Sequence, residues 1–352
     1  MKFSSTTNNY LFKLLDELKC TLVFSTYQSG CIVLVSSNEG KVRQLTRAFK
    51  KPMGIALKDN RMAVATYDET ILFYKNKELA DKYPNNPKTF QSLYMPRVTY
   101  HTGILDLHDV CYGKDDDLFA VNTLFSCISK LSSKYSFEPY WKPSFISSLE
   151  PEDRCHLNGL AIKNGNPKYA TALSKGDIAY SWRKNITNSG ILIDIESNEI
   201  ILDKLPMPHS PRFIGNDLFI LLSAKGQIAR VDIESKTYQV VVQESGVLRG
   251  MCEYGNYVFV GVSKPRESSQ TFQKLPSNIK VQEAGVLVFF KPTWHKVGEI
   301  KYSDTIDEIF DVQIIPNLQR GNILNTKGIQ NHSVSFPEKA FWKKVHKNHN
   351  SN

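Results

Sequence analysis

His108, His156 and His209 are the residues of this chain best suited to chemistry. Each stands at or just before a short β-type run, His108-Asp-Val-Cys-Tyr112, Asn158-Gly-Leu-Ala-Ile162 or Pro211-Arg-Phe-Ile214, in a sequence with only eight histidines. Neutral imidazoles suit Mn, Fe, Ni, Cu or Zn, and three of them with one carboxylate leave coordination positions open to water or substrate. The spacing therefore predicts one divalent transition metal on these three rings, with Glu308 as fourth ligand or general base. The plainer reading is that each ring hydrogen-bonds backbone at a junction between repeated units.

Arginines accompany the histidines. Arg154, Arg212 and Arg249 precede or open consecutive runs, and a buried guanidinium must be paired or face an anionic ligand. Asp106, Glu152, Asp153 and Glu308 are candidate internal partners; a carboxylate, phosphate or sulfate on a substrate is the alternative. Glu308, Arg212 and Arg249 form the expected catalytic group, with Arg154, Asn122, Asn158, Ser263 and Arg266 as substrate contacts. Asn158 serves equally as a turn former. Cys155 adjoins His156, but neighbours on a strand point to opposite faces, so Cys155 is assigned to packing. No GxGxxG, Walker, GxSxG or HExxH motif is present, which leaves the common nucleotide-binding, hydrolase and zincin classes without support.

The elements that must position these residues are strands. Short runs of β-branched and aromatic residues alternate in polarity between Gly, Asn, Asp and Pro turns, and the class is all-β. The runs repeat as a phrase: a strand, a polar turn, a second strand ending in a small polar residue, then a third strand with a return. Phrases begin near Met53, His108, Asn158, Pro211 and Arg249. Five such units with periods of roughly 40 to 60 residues mark a β-propeller. Phe310 to Ile315 is then a lone inner strand, while Thr21 to Thr26, Cys31 to Val35 and Val42 to Leu45 lack one. Joined, they complete a sixth blade and remove the exposed edges of an open array. The rim position before each inner strand gathers the histidines and arginines at one mouth of the central channel.

Residues 1–19 read as an N-terminal helical segment, 20–317 as the propeller and 318–352 as a basic, partly disordered tail. The net charge is +9, and the stretch from Leu318 onward holds six basic residues against one acidic. No stacking platform accompanies that charge, so nucleic acid is not an expected partner. No run approaches the roughly 18 apolar residues of a membrane span, and no membrane partner is expected. The cysteines are scattered without a CxxC pair, as in a reduced, cytoplasmic protein.

The segments Val121-Asn-Thr-Leu-Phe-Ser-Cys127, Pro151 to Ala161, Pro206-Met-Pro-His-Ser-Pro-Arg212, Val260 to Glu267 and Glu308-Ile-Phe-Asp-Val312 resemble those of an uncharacterised bacterial family, DUF4915, over roughly Cys20 to Asn317. The resemblance implies a TolB-like six-bladed propeller and carries no activity with it. Lactonase propellers with calcium sites and polysaccharide lyases with multi-His metal sites are analogies of fold only. The expected function is a metal-dependent enzyme acting on a polar, anionic substrate by hydrolysis, elimination or oxidation. The alternative is a non-catalytic propeller that binds an anionic ligand or a protein.

Overall fold

The apolar alternation resolves into six blades around a channel in a computed structural model, which describes residues 4–84, 86–265, 275–276, 279–325 and 328–343. Blade 1 comprises Ile55–Lys58, Arg61–Ala65, Glu69–Asn76 and Ser92–His101; blade 2 comprises Leu107–Tyr112, Leu118–Asn122, Cys127–Lys130 and Glu138–Trp141. Blade 3 runs Leu157–Lys163, Asn166–Ala172, Gly190–Asp194 and Ile200–Leu205, and blade 4 runs Pro208–Ile214, Asp217–Leu222, Gln227–Asp232 and Thr237–Gln243. Blade 5 holds Val247–Tyr254, Tyr257–Ser263, Ala284–Phe290 and His295–Tyr302. Blade 6 closes the ring: Val312–Ile315 is its inner strand and pairs antiparallel with Thr21–Thr26, followed outward by Cys31–Asn38 and Lys41–Ala48.

Small polar residues at the ends of second strands stitch blades together. Thr123 donates to Leu157 O of the next blade at 2.6 Å, Ser223 to Leu248 O at 2.6 Å, Ser263 to Ile309 O at 3.1 Å and Ser25 to Met53 O at 2.5 Å. These hydroxyls satisfy buried carbonyls that a twisted inner strand leaves outside its own ladder.

A buried ionic network ties the inner strands across the channel. Arg212 of blade 4 grips Asp109 of blade 2 with both nitrogens, at 2.8 and 3.0 Å, and lies 3.9 Å from Asp311 beside blade 6. Asp109 also accepts from Leu160 N of blade 3 at 3.1 Å, and Asp311 from Ile55 N of blade 1 at 2.8 Å. Blade 5 joins through Gly250 N, which donates to Ser210 Oγ at 3.0 Å. Gly250 has φ +74°, and a Cβ there would stand 2.8 Å from the Asp311 Cα, so only glycine lets the two strands meet.

The described segments flanking the ring pack on its outside. Asn8 caps the helix Asn9–Glu17, whose Leu11, Leu14 and Leu15 lie on one face and are buried against Val288 and Ile300 of blade 5 and Val33 and Val35 of blade 6. Thr6–Thr7 adds a fifth strand to blade 5. The stretch after 317, set apart above by its charge, supplies Gly321–Ile323, which pairs parallel with Ser92–Tyr94 of blade 1, and a hairpin, Ser333–Phe336 with Lys339–Trp342. That hairpin docks on the short helix Lys77–Asp81 through Trp342 Nε1 to Leu79 O at 2.9 Å. No helix among the described residues is long and apolar enough to cross a membrane.

Arg212→Met would strand two buried carboxylates without their cation, and is expected to lower the unfolding free energy by about 3–5 kcal/mol. Urea denaturation measures this. A loss below about 1 kcal/mol, the level of an ordinary hydrogen bond, would show that the network does not hold the ring. Thr123→Val should cost about 1–3 kcal/mol by orphaning Leu157 O.

Candidate functional site

Left-handed backbone marks the entry to the inner strands of three consecutive blades. Asp106 (φ +53°), Asp153 (φ +46°), His156 (φ +52°) and Met207 (φ +56°) all lie in that region, although none is glycine. Such strain persists where the surroundings enforce it, and it clusters at functional sites. Here it aims His108, His156 and His209 into one cavity of about 200 Å³ at a mouth of the channel. Arg249, Glu308 and Ser263 also line it.

The hydrogen bonds place a proton on Nδ1 of all three rings. His108 Nδ1 lies 2.9 Å from Asp106 O, and His209 Nδ1 lies 3.2 Å from Met207 O and 3.0 Å from Ser223 Oγ. His156 Nδ1 lies 3.0 Å from both carboxylate oxygens of Asp153. Carbonyls and carboxylates only accept, so each Nδ1 carries a proton. Burial, opposed by the Asp106 carboxylate, holds His108 down to about 3. Burial, joined by Arg249 and His156, holds His209 well below the usual histidine range. Both rings are therefore neutral at physiological pH.

His156 is held on two sides. Trp182 lies against its ring at a centroid distance of 4.1 Å, and the indole Nε1 donates to Asp153 Oδ2 at 3.0 Å. His108 meets His156 edge-on at 4.8 Å and Phe310 at 5.3 Å. The Arg249 guanidinium covers the Phe310 ring at 3.6 Å, with Nη1 3.3 Å from Glu308 Oε1. Arg183 sits at the mouth, 4.5 Å above the Tyr180 ring and 5.2 Å from that of Trp182. Among the described residues, no three His, Cys, Asp or Glu side chains stand close enough together to hold one metal ion.

Four of the other expected contacts lie elsewhere. Arg212 is in the channel network, three residues further along its strand than His209 and past a register shift that separates the two. Arg154 turns away from the cavity to Glu152 and Asp177, each at 2.8 Å. Asn122 accepts from Phe125 N at 3.2 Å, shaping the turn, and Asn158 accepts from the Thr171 hydroxyl at 2.7 Å. The Ser263 hydroxyl at the cavity edge is committed to Ile309 on both its donor and acceptor sides. Arg266 lies outside the described residues. Cys155 is fully buried in the core between blades 2 and 3, where burial pushes its thiol up to about 12. Trp182, Arg183, Tyr27 and Phe310 are among the cavity residues that the repeat positions did not indicate. The signal for the first two is the long connection from Ala172 to Gly190 in blade 3.

Neutral burial of His108 and His209 sets a pH dependence. In the unfolded chain both titrate near 6.5, whereas the folded protein refuses those protons until well below that value. Stability is complete above about pH 6.5 and falls as pH drops toward 3, by up to about 1.4 kcal/mol per pH unit per ring. His108→Phe should flatten this acid limb in denaturation curves recorded from pH 4 to 7. An unchanged slope would mean that His108 is charged in the fold.

No curated protein matches the chain. A protein of unknown function from Bacteroides caccae superposes with a TM-score of 0.51 at 8% identity, covering 84% of this chain and 98% of its own. A chain of the nidogen/laminin complex gives a TM-score of 0.53 at 10% identity, covering 85% and 99%. Identities this low speak for the propeller fold alone. The family described as a domain of unknown function, DUF4915, matches residues 9–324, and with nearly the whole propeller inside that match the chain belongs to the DUF4915 family.

Proposed function

We propose that the protein is an enzyme that transfers a proton to or from a small, polar, anionic substrate in the rim cavity. The observation that carries this reading is the Asp153–His156 pair, with its Nδ1 proton fixed on the carboxylate, beside the Arg249 guanidinium. Such a pair makes a general base: Nε2 takes the proton, and Asp153 stabilises the imidazolium that results. Trp182 fixes the carboxylate, and Arg249 and Arg183 attract the substrate's negative charge. Glu308 orients Arg249. Proton transfer of this kind serves hydrolysis, by activating water, and elimination, by removing a proton next to a carboxylate. The six free cysteines fit a reducing, cytoplasmic setting.

A second reading is favoured by the shared tautomer of the rings. Nε2 lone pairs on His108, His156 and His209, two of them on rings held neutral, form a donor set of the type that takes Mn, Fe, Ni, Cu or Zn, once the rings turn toward a common point. The ion would polarise a carbonyl or acidify bound water. Non-catalytic capture of an anion in the same cavity is the remaining alternative.

Incubation with a panel of small hydroxy, keto and phospho acids, followed by proton NMR, is expected to reveal conversion of one of them. Asp153→Asn should lower that rate by about 10²–10⁴-fold. Binding without conversion would favour the non-catalytic alternative. Elemental analysis beside a His156→Ala variant separates the metal reading: about one transition metal per chain, lost in the variant, supports it, and none after reconstitution with each ion removes it.

A further inference from the structure

Over much of the ring a surface cation meets a carboxylate. Lys130 pairs with Asp117, Lys175 with Asp203, Arg230 with Asp217 and Lys264 with Asp307, at 2.5 to 3.0 Å. The side where blade 6 meets blade 1 departs from this. Counting Lys and Arg, the outer strand Lys41–Ala48 carries three cations and no carboxylate, and the outer strand Ser92–His101 one and none. The stretch 77–91 adds three against two, and the described residues from Leu318 to Lys343 three against one. Among the described Lys and Arg residues of these segments, Lys82 alone is in an ion pair, with Glu78. Arg47, Arg97 and Arg320 turn to the neutral oxygens of Thr46, Ser335 and Lys88. Asp16 and Glu39 flank Lys41 at one margin, so the excess centres further along, toward Arg47 and the C-terminal hairpin.

One segment binds these pieces into a single surface. Gln319 O accepts from Ser36 Oγ of blade 6 at 2.6 Å, Arg320 O from Gln91 N at 2.7 Å, and Ser335 Oγ from Arg97 of blade 1 at 2.9 Å. The hairpin in its midst shows an apolar side to solvent. Side chains alternate along a strand, so Ala340 and Trp342 pack inward while Val334, Phe336 and Phe341 share the outer face, 46%, 51% and 45% exposed. Lys339 stands on that face opposite Phe336.

Apolar side chains framed by unpaired cations call for a partner that is both oily and negatively charged. A second copy of the chain would bring like charges together. Bases of a single-stranded nucleic acid stack on free ring faces, but Phe341 already has Phe336 stacked on it at 6.1 Å and Lys82 over its ring at 5.4 Å. An anionic bilayer satisfies both halves, because its interface takes up apolar side chains of any shape and its headgroups attract Lys and Arg. Independently of the rim cavity, we propose that the protein docks on an anionic lipid bilayer through this side of the ring, with Val334, Phe336 and Phe341 in the interface and Lys339 and Lys343 against the headgroups. The contact lies on the bilayer and needs no spanning segment.

Sedimentation of the full-length protein with vesicles tests this, using pure phosphatidylcholine and an equal mixture with phosphatidylglycerol. Affinity for the mixed vesicles is expected to exceed that for the neutral ones by about tenfold or more, and to fall at high salt. Phe336→Ser combined with Phe341→Ser alters only the solvent face of the hairpin, and should weaken mixed-vesicle binding about tenfold or more at an unchanged melting temperature. Lys339→Gln and Lys343→Gln should each weaken it about fivefold. Equal affinity for the two vesicles, or binding to neither, would overturn the proposal. So would mixed-vesicle binding that the paired Phe variant leaves intact. Tighter binding of oligothymidylate than of mixed vesicles would reassign the surface to nucleic acid, and self-association lost in the Phe variant would reassign it to a second copy.

Discussion

The whole ring hangs on a salt bridge at its axis. Arg212 reaches from blade 4 across to Asp109 of blade 2 and toward Asp311 beside blade 6, and the two carboxylates pass the connection to backbone amides of blades 3 and 1. A buried ion pair is weak as a source of net stability, because desolvation offsets much of the attraction. Its effect here is geometric. Two fixed carboxylates and one planar cation set how far apart the inner strands stand, and the hydroxyl stitches at the blade ends then set their height. The rim residues inherit both settings.

Strain and burial at the rim follow from that frame. Non-glycine residues, Asp106, Asp153, His156 and Met207 among them, adopt left-handed backbone where the chain drops into the channel, and two of the three histidines stay neutral because the protein surrounds them. The result is a small cavity whose polar atoms are already oriented before anything enters. Preorganisation of this sort lets hydrogen bonds act on a ligand without first rearranging the protein.

Much of the fold was legible in the sequence because its signal is periodic. Strand–turn–strand phrases beginning near Met53, His108, Asn158, Pro211 and Arg249 follow from alternation and turn chemistry, and the unpaired runs at the two ends follow by elimination. The outer strands Ser92–His101 and Glu138–Trp141 were not legible, since long polar connections and weak alternation separate them from their blades. At the site, the three histidines were legible as a repeated position. Arg212 was misplaced because an irregular register separates it from His209, and a single residue of slip turns a strand side chain to the other face. Arg154 was misplaced because loop residues obey no alternation. Trp182 and Arg183 came from a connection within blade 3 that no periodicity describes, and Ser263, read as a substrate contact, belongs to the stitching between blades.

Ring closure has a consequence for how the protein comes into being. Tyr27 precedes most of the blades in synthesis, whereas Glu308 and Phe310 follow nearly all of them, yet all three line the same cavity. A chain still emerging from the ribosome can stack its middle blades on local contacts but has no cavity, because one wall has not been made. The pairing that supplies the wall spans almost the entire polypeptide, the kind of long-range contact that forms late. Any ligand of the cavity would therefore meet finished molecules only, and would link the Thr21–Thr26 end of the seam to the Val312–Ile315 end and oppose opening of the ring where it was sealed.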